Sequence, residues 1–207
     1  MKKNSPVYVL GFMIAVCTVC GIAISSVQFT MKKTLDANAR LTRNRTIAAA
    51  FSLETAQRTA VAYDSLLAAD IKRDTILGSG RSWELFTRRE APHDVGFIFT
   101  GMGFWDMITG IIVLSKDLSA ISSFEVIDQK ETPGLGARIE EAVFKKQFIG
   151  YPIIWNLPEE QRITFGDPVG NKTVRLNAIT GATQTSMALE RILNSELAAF
   201  KTAYDKR

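Results

Sequence analysis

The sequence predicts an α+β domain carried behind one N-terminal apolar helix. Three observations predict it: a charge-free run from Val7 to Phe29, a series of short β-branched and aromatic runs from Trp83 onward, and an apolar-periodic run near the C-terminus. Strand-like runs followed by helices, with no regular alternation of the two, point to an antiparallel or mixed sheet with flanking helices. A chain of 207 residues with 46% hydrophobic content holds one membrane span and one domain with its own core.

About 20 apolar residues suffice to cross a bilayer, so Val7 to Phe29 reads as a transmembrane helix. A cleaved signal peptide has a shorter apolar core ending at a small-x-small site, and Ser25-Ser26-Val27-Gln28-Phe29 is a poor one. From Met31 to Leu77 there is neither Gly nor Pro. Leu35, Ala39, Ile47, Ala50, Phe51 and Leu53 recur there at roughly helical spacing, which predicts a juxtamembrane helix or helix pair ended by Gly78-Ser79-Gly80. Strands are expected at Trp83 to Thr87, Val95 to Thr100, Ile108 to Leu114, Ile121 to Ile127 and Val174 to Leu176. Helices are expected over Arg138 to Phe148 and Gln184 to Tyr204. The stretch from Tyr151 to Gly170, with Pro152, Pro158 and Pro168, reads as loop.

Composition excludes several classes of function. The net charge of +4 comes largely from the flanks of the apolar run, and no basic stripe is interleaved with aromatics, so nucleic acid is not an expected partner. Cys17 and Cys20 share one face of the predicted span, but a metal cluster needs further thiolates; packing cysteines are expected instead. His93 is the sole histidine and lacks co-ligands, so no metal site is expected. Gly101-x-Gly103 and Gly134-x-Gly136 lack the third glycine of a dinucleotide fingerprint, no Gly-Lys-Ser/Thr ending occurs, and no Ser/His/Asp set stands out.

The most informative segment is Thr180-Gly181-Ala182-Thr183-Gln184-Thr185-Ser186, directly before the periodic run Met187, Ile192, Leu193, Leu197 and Phe200. A helix N-terminus presents unpaired N–H groups and a positive dipole end, which suit a phosphate, and Gly181 and Ala182 permit close backbone approach. The same residues also make an ordinary Ser/Thr-rich helix cap.

Thr-Gly-Ala-Thr-x-Thr-Ser resembles the flavinylation motif of membrane FMN-binding subunits, in which the last Thr of the Thr/Ser-Gly-Ala-Thr core carries FMN through a phosphoester. Glu131-Thr132-Pro133-Gly134-Leu135-Gly136 matches that family's Glu-Thr-Pro-Gly-Leu-Gly loop residue for residue, and Gly101-Met102-Gly103-Phe104-Trp105 is a looser third match. With the N-terminal anchor, these motifs make the chain similar to two related FMN-binding subunits: NqrC of the sodium-pumping NADH:quinone oxidoreductase (Nqr) and RnfG of the Rnf complex. The Gly-x-Gly-x-Trp detail leans to the Nqr type and the length to the Rnf type. The resemblance runs from about Val95 to the end; residues 32–90 resemble nothing specific.

The resemblance implies covalent FMN on Thr183, with Thr180, Gly181, Ala182, Gln184 and Thr185 around the phosphate. Glu131, Thr132, Gly134, Leu135 and Gly136 are implied to lie along the flavin, with Trp105 as a candidate ring neighbour. It implies a division into residues 1–31 as tail and anchor, 32–80 as a juxtamembrane helical segment and 81–207 as the FMN-binding domain. The implied role is an electron-transfer subunit of an ion-translocating, NADH- or ferredoxin-linked complex in the bacterial inner membrane. Its partners would be other membrane redox subunits, with a separate FAD-using flavin transferase for maturation.

A structural or assembly subunit with an unused flavin site, and a stand-alone anchored flavoprotein, are the alternatives. The family usually has Asp six residues before the modified Thr; this chain has Asn177, which keeps the shape and loses the charge. Lys2 and Lys3 precede the span while Lys32, Lys33, Arg40, Arg43 and Arg45 follow it, a count that by itself puts the C-terminal side in the cytoplasm. The resemblance implies the extracytoplasmic side, and long domains translocate largely regardless of charge.

Overall fold

The computed structural model describes residues 6–78, 80–91, 93–166 and 174–207. The chain divides into two compact units, Met1–Leu41 and Thr42–Arg207.

The first unit is helical. Helix α1 spans Pro6–Ala50 and, among the described residues, is the one helix long and apolar enough to cross a membrane. Three of its hydroxyl residues satisfy themselves along the helix: Thr18, Ser26 and Thr30 donate to the carbonyls of Ile14, Ile22 and Ser26 at 2.8, 2.7 and 2.8 Å. That back-bonding hides polar hydrogens on an otherwise apolar surface. Cys17 and Cys20 are free thiols on this helix.

The second unit is α+β. Helix α2 (Ala60–Asp70) is capped by Thr59, whose hydroxyl accepts from the Ala62 N–H at 3.3 Å. Five strands follow, β1 (Ile71–Gly78), β2 (Arg81–Arg88), β3 (Val95–Met102), β4 (Met107–Leu114) and β5 (Ile121–Asp128). They pair in sequence order, every pair antiparallel. A short 3-10 turn (Gly136–Glu140) and helix α3 (Ala142–Lys146) come next, and helix α4 (Thr183–Tyr204) closes the chain.

Period-two alternation in the strands builds two apolar faces. Phe97 and Phe99 of β3 and Phe124 of β5 turn toward α4 and the loops, where Phe97 stacks on Phe200 at 4.0 Å and Phe124 on Phe148 at 4.1 Å. On the opposite face, Phe51 lies against Gly96, and Arg43 pairs with Glu84 above the Phe86 ring. The last turns of α1, with buried Ile47 and Ala48, thus belong to the second unit.

Three sequence expectations are corrected. Residues 71–78 form strand β1 in place of the expected helix: Ile71 through Gly78 pair residue by residue with Arg88 through Arg81. Cross-strand pairing with β2 overrides a local composition that is equally acceptable in a helix. The helix expected over Arg138 to Phe148 is broken at Glu141, whose ψ of 139° is extended and separates the 3-10 turn from α3. Val174 to Leu176 is not a strand; Leu176 makes a single bridge to Phe165. Within Tyr151 to Gly170, residues 167–170 lie outside the described residues.

Candidate functional site

Three segments far apart in sequence meet at one end of the sheet: the β3–β4 connection at Gly103–Asp106, the segment leaving β5 at Glu131–Gly136, and the start of α4. They enclose a cleft of about 390 Å³ lined by Phe104, Trp105, Glu131, Thr132, Leu135, Gly136 and residues Gly181 to Thr185. This size lies within the ~300–1,000 Å³ range of small-molecule and cofactor sites.

The floor is built around one carboxylate. Glu131 is 4% exposed, and its Oε1 accepts from the Phe104 and Trp105 backbone N–H groups at 2.8 and 3.0 Å. Its Oε2 accepts from the Thr185 hydroxyl at 2.7 Å, and Thr185 is itself buried. Glycines make this convergence possible. A Cβ on Gly136 would stand 2.5 Å from Thr185 Oγ1 and 2.8 Å from Glu131 Oε2, and one on Gly103 would stand 2.6 Å from Glu131 Oε1. A side chain at either position would displace the acid.

Beside this floor, Lys130 donates to Asp106 at 2.9 Å and ties the β5 exit to the β3–β4 connection. The bond from Lys130, helped by the Met107 N–H, holds the Asp106 carboxyl below its ordinary range, and the same bond raises the Lys130 ammonium.

The wall formed by α4 is polar and open. Gly181 takes φ +80°, a left-handed conformation that turns the chain into the helix. The Ala182 N–H donates to Ile179 O at 2.9 Å, and the Ser186 hydroxyl accepts from Ile179 N–H at 3.0 Å while donating to Ala182 O at 3.2 Å. Thr183 is the first residue of α4 and is exposed; Ala182 in the cap position offers no side-chain acceptor to the helix N–H groups. A helix start with no side-chain cap, lining the cleft, is a place that suits an anion. The remaining wall is apolar. Phe104 and Trp105 pack edge to face at 5.4 Å, Trp105 is 64% exposed, and Leu135, also exposed, lines the same cleft.

Of the residues singled out from sequence, Thr183, Gly181, Ala182, Gln184, Thr185, Glu131, Thr132, Leu135, Gly136 and Trp105 all line this cleft. Gly134 does not; it takes φ +76° in the turn behind Leu135. Thr180 lines a second, neighbouring cleft of about 250 Å³ together with Arg138, Gln147 and Asn177. Phe104 is the lining residue that sequence reasoning misses, although its place beside Trp105 after a glycine-rich match is a usable signal. The Glu131–Thr185 bond joins residues 54 apart, which no local pattern indicates.

Comparison with known proteins places similarity over the same residues. A family model described as an FMN-binding domain matches residues 103–198. The NqrC component of the Na(+)-translocating NADH-quinone reductase of Vibrio vulnificus is 29% identical over 92 residues, which are 44% of this chain and 36% of that protein. Its Yersinia pestis counterpart of the same name is 28% identical over 95 residues, 45% of this chain and 36% of that protein. The match therefore spans little more than a third of the length of these curated relatives. Two solved structures share the fold. The crystal structure of Shewanella oneidensis NqrC superposes with a TM-score of 0.67 at 17% identity, covering 82% of this chain and 98% of that one. The corresponding Parabacteroides distasonis protein gives 0.68 at 18% identity, covering 83% and 96%.

Proposed function

We propose that the chain is one of the FMN-binding proteins of the NqrC and RnfG type, a membrane-anchored electron-transfer subunit carrying FMN covalently on Thr183. The observation that carries the reading is the meeting, in one cleft, of an exposed hydroxyl at a helix start with an apolar wall of Phe104, Trp105 and Leu135. The residues fit the group: the first-turn N–H groups of α4 suit a phosphate, and the apolar wall suits a flat aromatic ring. FMN when bound supplies one- and two-electron transfer.

The protein's part is attachment and placement. Thr183 Oγ1 would carry the phosphate as a phosphoester, made by a flavin transferase that transfers FMN from FAD with AMP as the leaving group and the hydroxyl proton lost. The first-turn amides of α4 would stabilise the phosphate charge, and Thr132, exposed at the rim, would offer a hydrogen bond to a polar edge of the ring. Asn177 sits in the neighbouring cleft, its backbone N–H donating to Gln147 Oε1 at 2.7 Å.

The orientation follows the family: α1 anchors the chain in the inner membrane and the flavin domain lies on the extracytoplasmic side, where covalent attachment prevents loss of a cofactor that is not readily replaced. The exposed tip formed by Met102, Phe104, Trp105 and Met107 supplies an apolar contact surface for another redox subunit of an Nqr- or Rnf-type complex. The reading is tested by in-gel flavin fluorescence of the denatured chain made in its native host. Wild type and Thr185→Ala retain the fluorescence and Thr183→Ala loses it. Loss in Thr185→Ala with retention in Thr183→Ala moves the attachment to the wrong hydroxyl and overturns the assignment; a dark wild-type chain favours the structural or assembly role.

A further inference from the structure

Buried beneath the flavin cleft is a negative group with no positive partner. Glu131 accepts hydrogen bonds from two backbone amides and from the Thr185 hydroxyl, and among the described residues no basic side chain pairs with it. The basic groups nearest in sequence are engaged elsewhere, Lys130 with Asp106 and Arg138 with Glu141. Three donors and no cation around one buried carboxyl are the donor set of a carboxylate, and in such a poorly hydrated place Coulomb interactions with neighbours are stronger than in water.

We infer that Glu131 is a redox-tuning residue, whose fixed charge beneath the cleft lowers the reduction potential of the flavin held there. An electron added to the ring brings negative charge toward the carboxylate, so the oxidised form is favoured over the reduced one. The electron comes from whichever redox subunit donates to this chain. The three donors on Glu131 partly offset the charge, and the Thr185 hydroxyl is the one that a side-chain change can remove. This rests on the flavin reading above. It adds a role for an acid that would otherwise serve only to join the Phe104–Trp105 loop to α4.

The two partners predict opposite signs, which separates charge from mere structure. Glu131→Gln keeps the volume and can still accept from the two amides, but it removes the charge; the flavin's midpoint potential moves to a more positive value. Thr185→Val keeps the volume and the charge but removes the hydroxyl donor; the potential moves to a more negative value. Both are measured by spectroelectrochemical titration of the full-length, FMN-loaded chain in detergent, with thermal unfolding of each variant as the check on folding.

An unchanged or more negative potential in Glu131→Gln overturns the inference, as does a positive shift in Thr185→Val. If Glu131→Gln fails to fold or to take up FMN, the sign in Thr185→Val decides alone. A wild-type chain without FMN overturns the flavin reading itself, whereas a loaded wild type with unmoved variants overturns only the role given to Glu131.

Discussion

Replacing Gly136 with alanine tests how tightly the cleft floor is assembled. Gly136 is buried and does not occupy the positive-φ region, so the cost of a methyl group there is steric and not conformational. The new Cβ would stand 2.5 Å from Thr185 Oγ1, 2.8 Å from Glu131 Oε2 and 2.9 Å from Glu131 Cβ, none of them a free flexible end, because the two oxygens are bonded to each other at 2.7 Å. The chain must therefore either displace the 131–136 segment, an overpacking strain of ~1–3 kcal/mol, or break a charge-assisted bond worth ~1.5–3 kcal/mol. Whichever gives way, the loss is about 1–3 kcal/mol, which for a domain of this size lowers Tm by roughly 2–12 °C. Gly134→Ala is the control, since its Cβ meets nothing within 4 Å and only left-handed strain of ~1–2 kcal/mol is added at φ +76°. Thermal unfolding of the full chain in detergent, followed by near-UV circular dichroism, reads both. A Gly136→Ala variant as stable as the wild type would refute the claim that Glu131 and Thr185 meet at this glycine.

Two further expectations are independent of the cleft. Asp117, in the β4–β5 connection, is pulled down to about 2 first by the Ser115 hydroxyl bond at 2.6 Å and then by the Ser119 hydroxyl and N–H. A carboxyl depressed on folding adds stability that is complete above its ordinary value of ~3.9 and is lost as pH falls through about 2; Ser115→Ala should move the Asp117 titration, followed by carboxyl NMR, upward. For orientation, protease added to the extracytoplasmic face of right-side-out vesicles should digest everything beyond α1. Digestion from the inner face alone would mean that the count of basic residues after the span predicts the topology correctly.

The legibility of this chain divides along physical lines. Apolar runs long enough to cross a membrane and short β-branched runs between turn residues are local signals, and α1, β2 to β5 and α4 are readable from them. Strand β1 is not, because α2 passes into it at Ile71 without Gly or Pro and Lys72, Arg73 and Asp74 carry no strand signal. The available clue is the Gly78-Ser79-Gly80 turn flanked by Ile71, Thr75 and Ile76 on one side and Trp83, Leu85 and Phe86 on the other. The cleft is legible as motifs, since Thr183 and the Glu131–Gly136 loop each stand in short recognisable strings. Their mutual geometry is not. Glu131 reads in sequence as one more loop residue along a ligand, and its burial beneath two backbone amides and a threonine is a product of tertiary packing that only the assembled fold reveals.

The central claim is the flavin on one oxygen atom, and a peptide mass measures it directly. Cleavage after Arg175 and Arg191 releases residues 176–191, which hold Thr180, Thr183, Thr185 and Ser186 in one fragment. From the chain purified from its native host, that peptide should be heavier than its bare mass by one FMN less one water, with backbone fragmentation placing the whole increment on Thr183. An unmodified peptide, or an increment on Thr180, Thr185 or Ser186, would contradict the account.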